Sequence, residues 1–213
     1  MMTRMPAHRH LKSALFALPL AGLLMLPQAL SAQDPSPQQL YESGQDEAAL
    51  ARAEAERAQG QEALEATFVA AQAARRLKQT DRAVAEYQRM AESPNGAWAA
   101  LGRSGVALEH GNMDEAQAHV SEAINLEGGL GYAHYQLGMV YARRNDHAAA
   151  AQAFARAAEI MPSFAYAHYQ AGLSFQRAKN VNRMATHFEQ FLQLAPDAPE
   201  RTQVAVIMRS IRG

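Results

Sequence analysis

Eight histidines and 21 carboxylates are the side chains of this 213-residue chain from which metal or acid–base chemistry would be built. Their spacing favours neither. His8 and His10 belong to a basic N-terminal segment, and His134 and His168 stand 34 residues apart at equivalent places of a repeated stretch. If that stretch folds as stacked helices, the two backbones lie about 10 Å apart. That is too far for joint chelation through Zn–N bonds of about 2.0 Å, so each ring is expected to bond locally. Asp114, Glu115, Glu122 and Glu127 have the spacing of a solvated helix face rather than of an acid–base dyad. No G-x-S-x-G elbow, phosphate loop or H-E-x-x-H pair occurs. The lack of cysteine removes disulfides, thiolate metal sites and C-x-x-C-H haem attachment. The expectation is therefore no catalytic residue, no metal ligand and no cofactor.

What does recur is small, apolar and aromatic. "GYAHYQLGMVYARRND", from Gly131 to Asp146, returns as "AYAHYQAGLSFQRAKN", from Ala165 to Asn180. In the first copy His134, Leu137, Gly138 and Tyr141 are followed by Ala150, Phe154 and Pro162. In the second His168, Ala171, Gly172 and Phe175 are followed by Met184, Phe188 and Pro196. This resembles the tetratricopeptide repeat, a helix-turn-helix unit of about 34 residues with the pattern W-x2-L-G-x2-Y, then A-x3-F, then P. The leading aromatic, Ala171 and Met184 depart from it.

Each recurring residue has a physical reason. Glycine at 138 and 172 lets a facing helix approach, as does Ala150 from the other side. Tyr141 with Phe154, and Phe175 with Phe188, offer large apolar surfaces, each worth about 1.5–3 kcal/mol when buried. Pro162 and Pro196 cannot continue a helix. The alanine anchor recurs at Ala116, Ala83 and Ala49. Five residues before the successive anchors stand Gly44, Lys78, Gly111, Asn145 and Lys179, each followed by a polar residue suited to a tight turn.

These elements imply an all-α chain, a right-handed α-solenoid of antiparallel helix pairs. The organisation read from the sequence is a partial repeat with linker at 33–62, a degenerate repeat at 63–96, and repeats at 97–130, 131–164 and 165–198. In the unit at 97–130 Arg103 and Ser104 replace the usual leucine and glycine. The stretch 199–213 reads as a capping helix, with Val204, Ile207, Met208 and Ile211 on one face.

Residues 1–32 differ in kind. Arg4, His8, Arg9, His10 and Lys12 precede an apolar run from Ala14 to Leu26, then Pro27 and the small-residue segment "ALSAQ". This is the layout of a cleaved signal peptide, cut after Ser31 or Ala32, and its apolar run falls short of the roughly 20 residues a membrane span needs. The mature chain would carry 17 basic against 21 acidic side chains, a net of about −4. That balance gives no basic field for nucleic acid. A periplasmic or secreted location is expected.

A second stripe on each first helix is left over from the repeat pattern: Tyr132, Tyr135, Met139 and Arg143, then Tyr166, Tyr169, Leu173 and Arg177. Earlier units supply Trp98, Leu101 and Gly105, and before them Phe68, Gln72 and Arg76. The resemblance implies that this face lines a concave groove, on the order of 40 Å long for four units, in which a protein or peptide partner is held by rigid aromatics and arginines. Tyr132, Tyr166, Arg143 and Arg177 stand furthest from the packing stripe. Family members that clamp a chaperone's C-terminal carboxylate use lysines and asparagines on this face, whereas here Lys78 and Lys179 fall in turns. The chain thus reads as a non-enzymatic adaptor or scaffold. A client-holding chaperone of envelope or cytochrome biogenesis is the alternative, and an enzyme with an unrecognised site a more remote one.

Overall fold

The computed structural model describes residues 34–59 and 63–211, and the signal peptide expected from the sequence at 1–32 lies outside them. Among the described residues every regular element is a helix. Five helix pairs follow one another: α1 (Pro37–Glu42) with α2 (Asp46–Ala58), α3 (Leu64–Arg76) with α4 (Thr80–Ala91), and α5 (Gly96–Glu109) with α6 (Met113–Leu126) come first. Then come α7 (Gly131–Arg143) with α8 (His147–Ile160), and α9 (Ala165–Arg177) with α10 (Val181–Leu194), while α11 (Arg201–Ser210) closes the stack. Val204 and Met208 of α11 are buried and Ile207 packs against the core. Ile211 is exposed, so the cap's apolar face is shorter than its sequence pattern.

One turn is written five times. Gly44, Lys78, Gly111, Asn145 and Lys179 all adopt positive φ, between 60° and 82°. The next amide then donates to the carbonyl five residues back: Gln45 to Leu40, Gln79 to Ala74, Asn112 to Ala107, Asp146 to Tyr141 and Asn180 to Phe175. This is the Schellman geometry that satisfies carbonyls at a helix end. Helix starts are capped where a polar side chain is at hand. Ser36 and Gln39 form a capping box before α1, and Asn95, Asp146 and Asn180 accept first-turn amides of α5, α8 and α10.

Within pairs, small residues set the spacing. A Cβ on Gly138 would lie 2.7 Å from the Phe154 ring, so that ring occupies the space a side chain would need. In the preceding unit Ser104 takes the glycine's place and Val120 the phenylalanine's. The smaller valine leaves room, and the buried Ser104 hydroxyl donates to the Ala116 carbonyl at 2.8 Å. The departure at Ser104 is thus compensated twice, by volume and by a hydrogen bond.

The first helices of the pairs converge on the inner side of the stack, and there they meet. Phe68 of α3 lies 5.0 Å from Tyr132 and 6.0 Å from Tyr135 of α7, two units further on. Tyr41 of α1 lies 4.7 Å from Tyr166 of α9, four units further on. The first unit therefore closes against the fifth.

Candidate functional site

The inner face is where a partner groove was expected, and its residues point inward. The face is not an open trough. Trp98, Tyr132, Tyr135, Met139 and Tyr166 are buried, with Tyr132 6% and Tyr166 2% exposed, and Leu101 is completely enclosed. The reason is that α1 and α3 supply aromatic partners for these rings, Tyr41 for Tyr166 and Phe68 for Tyr132 and Tyr135. Tyr132 is surrounded by Phe68, Trp98 and Phe164 at ring separations of 5.0–5.8 Å. The expectation that Tyr132 and Tyr166 stand free of the packing is corrected accordingly. Tyr169 and Leu173 are half-buried, and Arg143 and Arg177 remain accessible.

The aromatic plug leaves two openings. One, of about 430 Å³, lies at the N-terminal ends of the first helices, between Ser36, Pro37, Leu64, Val69, Trp98 and Tyr132. The other, of about 390 Å³, lies toward their C-terminal ends, between Gln72, Arg75, Arg76, Tyr135, Arg143 and Tyr169, with Gln170 and Glu200 on its wall.

Charge is organised around the second opening. Seven residues before the successive anchors at 49, 83, 116, 150 and 184 stand Glu42, Arg76, Glu109, Arg143 and Arg177. Basic residues there sit in the last helical turn, where the backbone dipole favours a cation. Arg76 is the central tie. Its Nε donates to Asp46 at 2.7 and 2.9 Å, and other guanidinium nitrogens donate to the Tyr41 carbonyl and the Tyr166 hydroxyl. Its guanidinium also lies 4.1 Å over the Tyr41 ring. Tyr166 donates in turn to Glu200 at 2.6 Å. Burial, together with that bond, holds the Tyr166 phenol well above its usual range, so it acts as a donor. Glu42 accepts the amide of Ala165, the first residue of α9, at 2.8 Å, and burial pushes its carboxyl up to about 7.

Glu109 is held by Arg75 at 2.5 Å and reaches Arg143 only at 3.8 Å. Arg143 spends one further bond on the Leu108 carbonyl at 3.3 Å and keeps 42% of its side chain exposed. Arg177 is exposed and, among the described residues, forms no ion pair, although its charge acts on the Tyr169 phenol. The sequence reading found both arginines and missed Tyr41, Glu42, Asp46 and Glu200. The signal for Glu42 was the register position it shares with the arginines. Nothing in the local pattern marks Glu200.

A stack of helix pairs with a small, charged inner opening defines an α-solenoid of the protein-interaction class. Tetratricopeptide-repeat family descriptions match residues 131–164 and 166–198, so the chain carries two tetratricopeptide repeats there. No curated protein sequence matches it. Among solved structures it is similar to TTC0263, a thermophilic TPR protein of Thermus thermophilus, at 18% identity and a TM-score of 0.57 over 82% of this chain and 94% of that one. YrrB, a TPR protein with an unusual peptide-binding site, is similar at 20% identity and a TM-score of 0.47 over 82% and 88%. MamA from Desulfovibrio magneticus follows at 20% identity and 0.45 over 74% and 90%. TTC0263 shows the fold. Repeats of this family are in general interaction modules, and no helix among the described residues is long and apolar enough to cross a membrane.

Proposed function

We propose that this protein is an exported, periplasmic and non-enzymatic scaffold that holds an acidic segment of a protein partner at the arginine-lined opening. The observation that carries this reading is the unequal charge pairing along one register. Arg76 is matched by Asp46, and Arg75 takes most of Glu109. Arg143 is left with a distant carboxylate and Arg177 with none among the described residues. Arg143 lines the opening with Tyr169 and Gln170, and Arg177, on the same helix as those two, acts through its charge on the Tyr169 phenol. Accessible guanidiniums next to an aromatic surface are suited to carboxylate side chains. The leader read from the sequence supports export. The closed inner face weighs against a chaperone that cradles long unfolded clients, because the hollow such a client would thread is filled by Phe68, Tyr132 and Tyr135.

The test is affinity purification from envelope extracts with chemical crosslinking, comparing the wild type with an Arg143→Ala, Arg177→Ala double variant. The reading expects a stoichiometric partner whose retention falls at least about tenfold in the double variant, as for loss of interface arginines, and weakens with added salt. Equal capture by both proteins would refute the arginine site. Capture of many unrelated unfolded chains would favour the chaperone.

A further inference from the structure

The repeat register makes one pair of side chains stand out. His134 and His168 occupy equivalent places on α7 and α9. His134 behaves as a local capping group, its Nε2 lying 3.1 Å from the Gly128 carbonyl. His168 instead meets a second imidazole, with its Nδ1 3.3 Å from Nδ1 of His187 on α10. The equivalents of His187 one and two units earlier are Ala153 and His119, and His119 faces Glu115 and Glu122 rather than a second imidazole.

Two neutral imidazoles can share one hydrogen between facing nitrogens, or they can both ligate an ion. For Zn–N bonds of about 2.0–2.1 Å at a tetrahedral angle, the ligand nitrogens lie roughly 3.3–3.4 Å apart. The observed separation already matches. We infer that His168 and His187 form a two-imidazole site for a borderline first-row dication, Zn²⁺ in the first instance, bound through both Nδ1 atoms.

The surroundings fit such a site. Metal ligation requires neutral rings, and burial is the first cause holding both below the usual histidine range, with their mutual repulsion adding to it for His187. His168 Nε2 is buried and closes no well-formed hydrogen bond, although the Pro162 carbonyl acts on the ring. Ligation through Nδ1 places the hydrogen on Nε2, toward that carbonyl, the outer-shell contact that orients a ligating histidine. His187 is half-exposed, which gives an ion access. Its ring is braced by stacking on Phe175 at 5.5 Å.

Two charges act on the pair from neighbouring positions. Glu159 favours a cation, and Arg183 opposes one while lying over the Phe175 ring and donating to Gln152. Among the described residues no third histidine or carboxylate converges with the two rings. Water therefore completes the coordination, and the site is open.

Calorimetric titration of the full chain with zinc chloride at pH 7.5 tests this. The wild type is expected to show a site whose affinity falls at least about tenfold in His168→Gln and in His187→Gln, since loss of an outer-shell contact alone costs that much. His134→Gln should leave it unchanged. In nitrogen-15 spectra of the wild-type histidine rings, zinc should lock both His168 and His187 in the Nε2–H form. That readout stands even if a variant fails to fold. Titrations identical across the variants, or ring spectra of His168 and His187 unmoved by zinc, would overturn the assignment.

Discussion

Gly138 and Tyr132 share α7, and their roles are set by what faces them. Gly138→Leu would drive a side chain into the Phe154 ring. Overpacking of this kind costs about 1–3 kcal/mol, and because the glycine sets the distance between one helix and its partner, the loss should appear as a lowered denaturation midpoint of the whole stack. Tyr132→Ala should also act on folding. Its ring is held by Phe68, Trp98 and Phe164, and removal of a buried aromatic costs about 3–5 kcal/mol. Urea denaturation followed by circular dichroism reads both, and an unchanged midpoint for Tyr132→Ala would return that residue to the accessible contacts. The glycine's role was legible because its cause lies within one repeat. The tyrosine's was not, because its cause is Phe68, more than 60 residues away in the chain.

At the scale of the element, α1 is too short to be stable alone, since isolated helices below about 12–15 residues are marginal in water. Contacts beyond its own pair hold it. Tyr41 packs on Tyr166, a Cβ on Gly44 would touch the Pro199 ring at 3.0 Å, and Glu42 caps the start of α9. The raised Glu42 carboxyl makes this docking pH-dependent. A carboxyl at about 7 when folded, against 4.5 when free, contributes stability that is fully present below pH 4.5. That contribution is lost as the pH rises toward 7, where the buried group ionises. Hydrogen exchange at the Ala165 amide should therefore speed up across this window, beyond the intrinsic effect of pH, and Glu42→Gln should abolish the excess. His187 works in the opposite sense. Its folded value of about 4 lies below the free value of 6.5, so its contribution is present above pH 6.5 and is lost as the pH falls through 4.

For the whole molecule, the closure of the first unit on the fifth separates this chain from an open array in which each repeat touches only its neighbours. Arg76 gathers Tyr41, Asp46, Tyr166 and Glu200, drawn from three separate parts of the chain, into one network. A variant lacking residues 1–45 removes α1 and should open both the network and the N-terminal cavity that Ser36 and Pro37 share with Trp98. Emission from the single tryptophan should then shift to the red, and amides of α9 should exchange faster while those of α6 stay protected. Unaltered emission and exchange would mean that α1 adds little to the closure.

The helix pairs from α3 to α10 and the five turns were legible in the sequence because their requirements are local, whereas the first pair, α1 with α2, was read only as a partial repeat with linker. A left-handed residue ends each first helix, a small residue lets the second approach, and proline or paired glycines close the units from the second onward. The residues that turn inward were legible for the same reason, since a helical stripe is a matter of spacing. Whether that inner face is open was decided only in the tertiary structure. It depends on how far each pair rotates against the next, and small packing angles accumulate over five units until Tyr41 meets Tyr166. No single repeat encodes that sum, and it buries Tyr132, Tyr135 and Tyr166 while leaving Arg143 and Arg177 accessible.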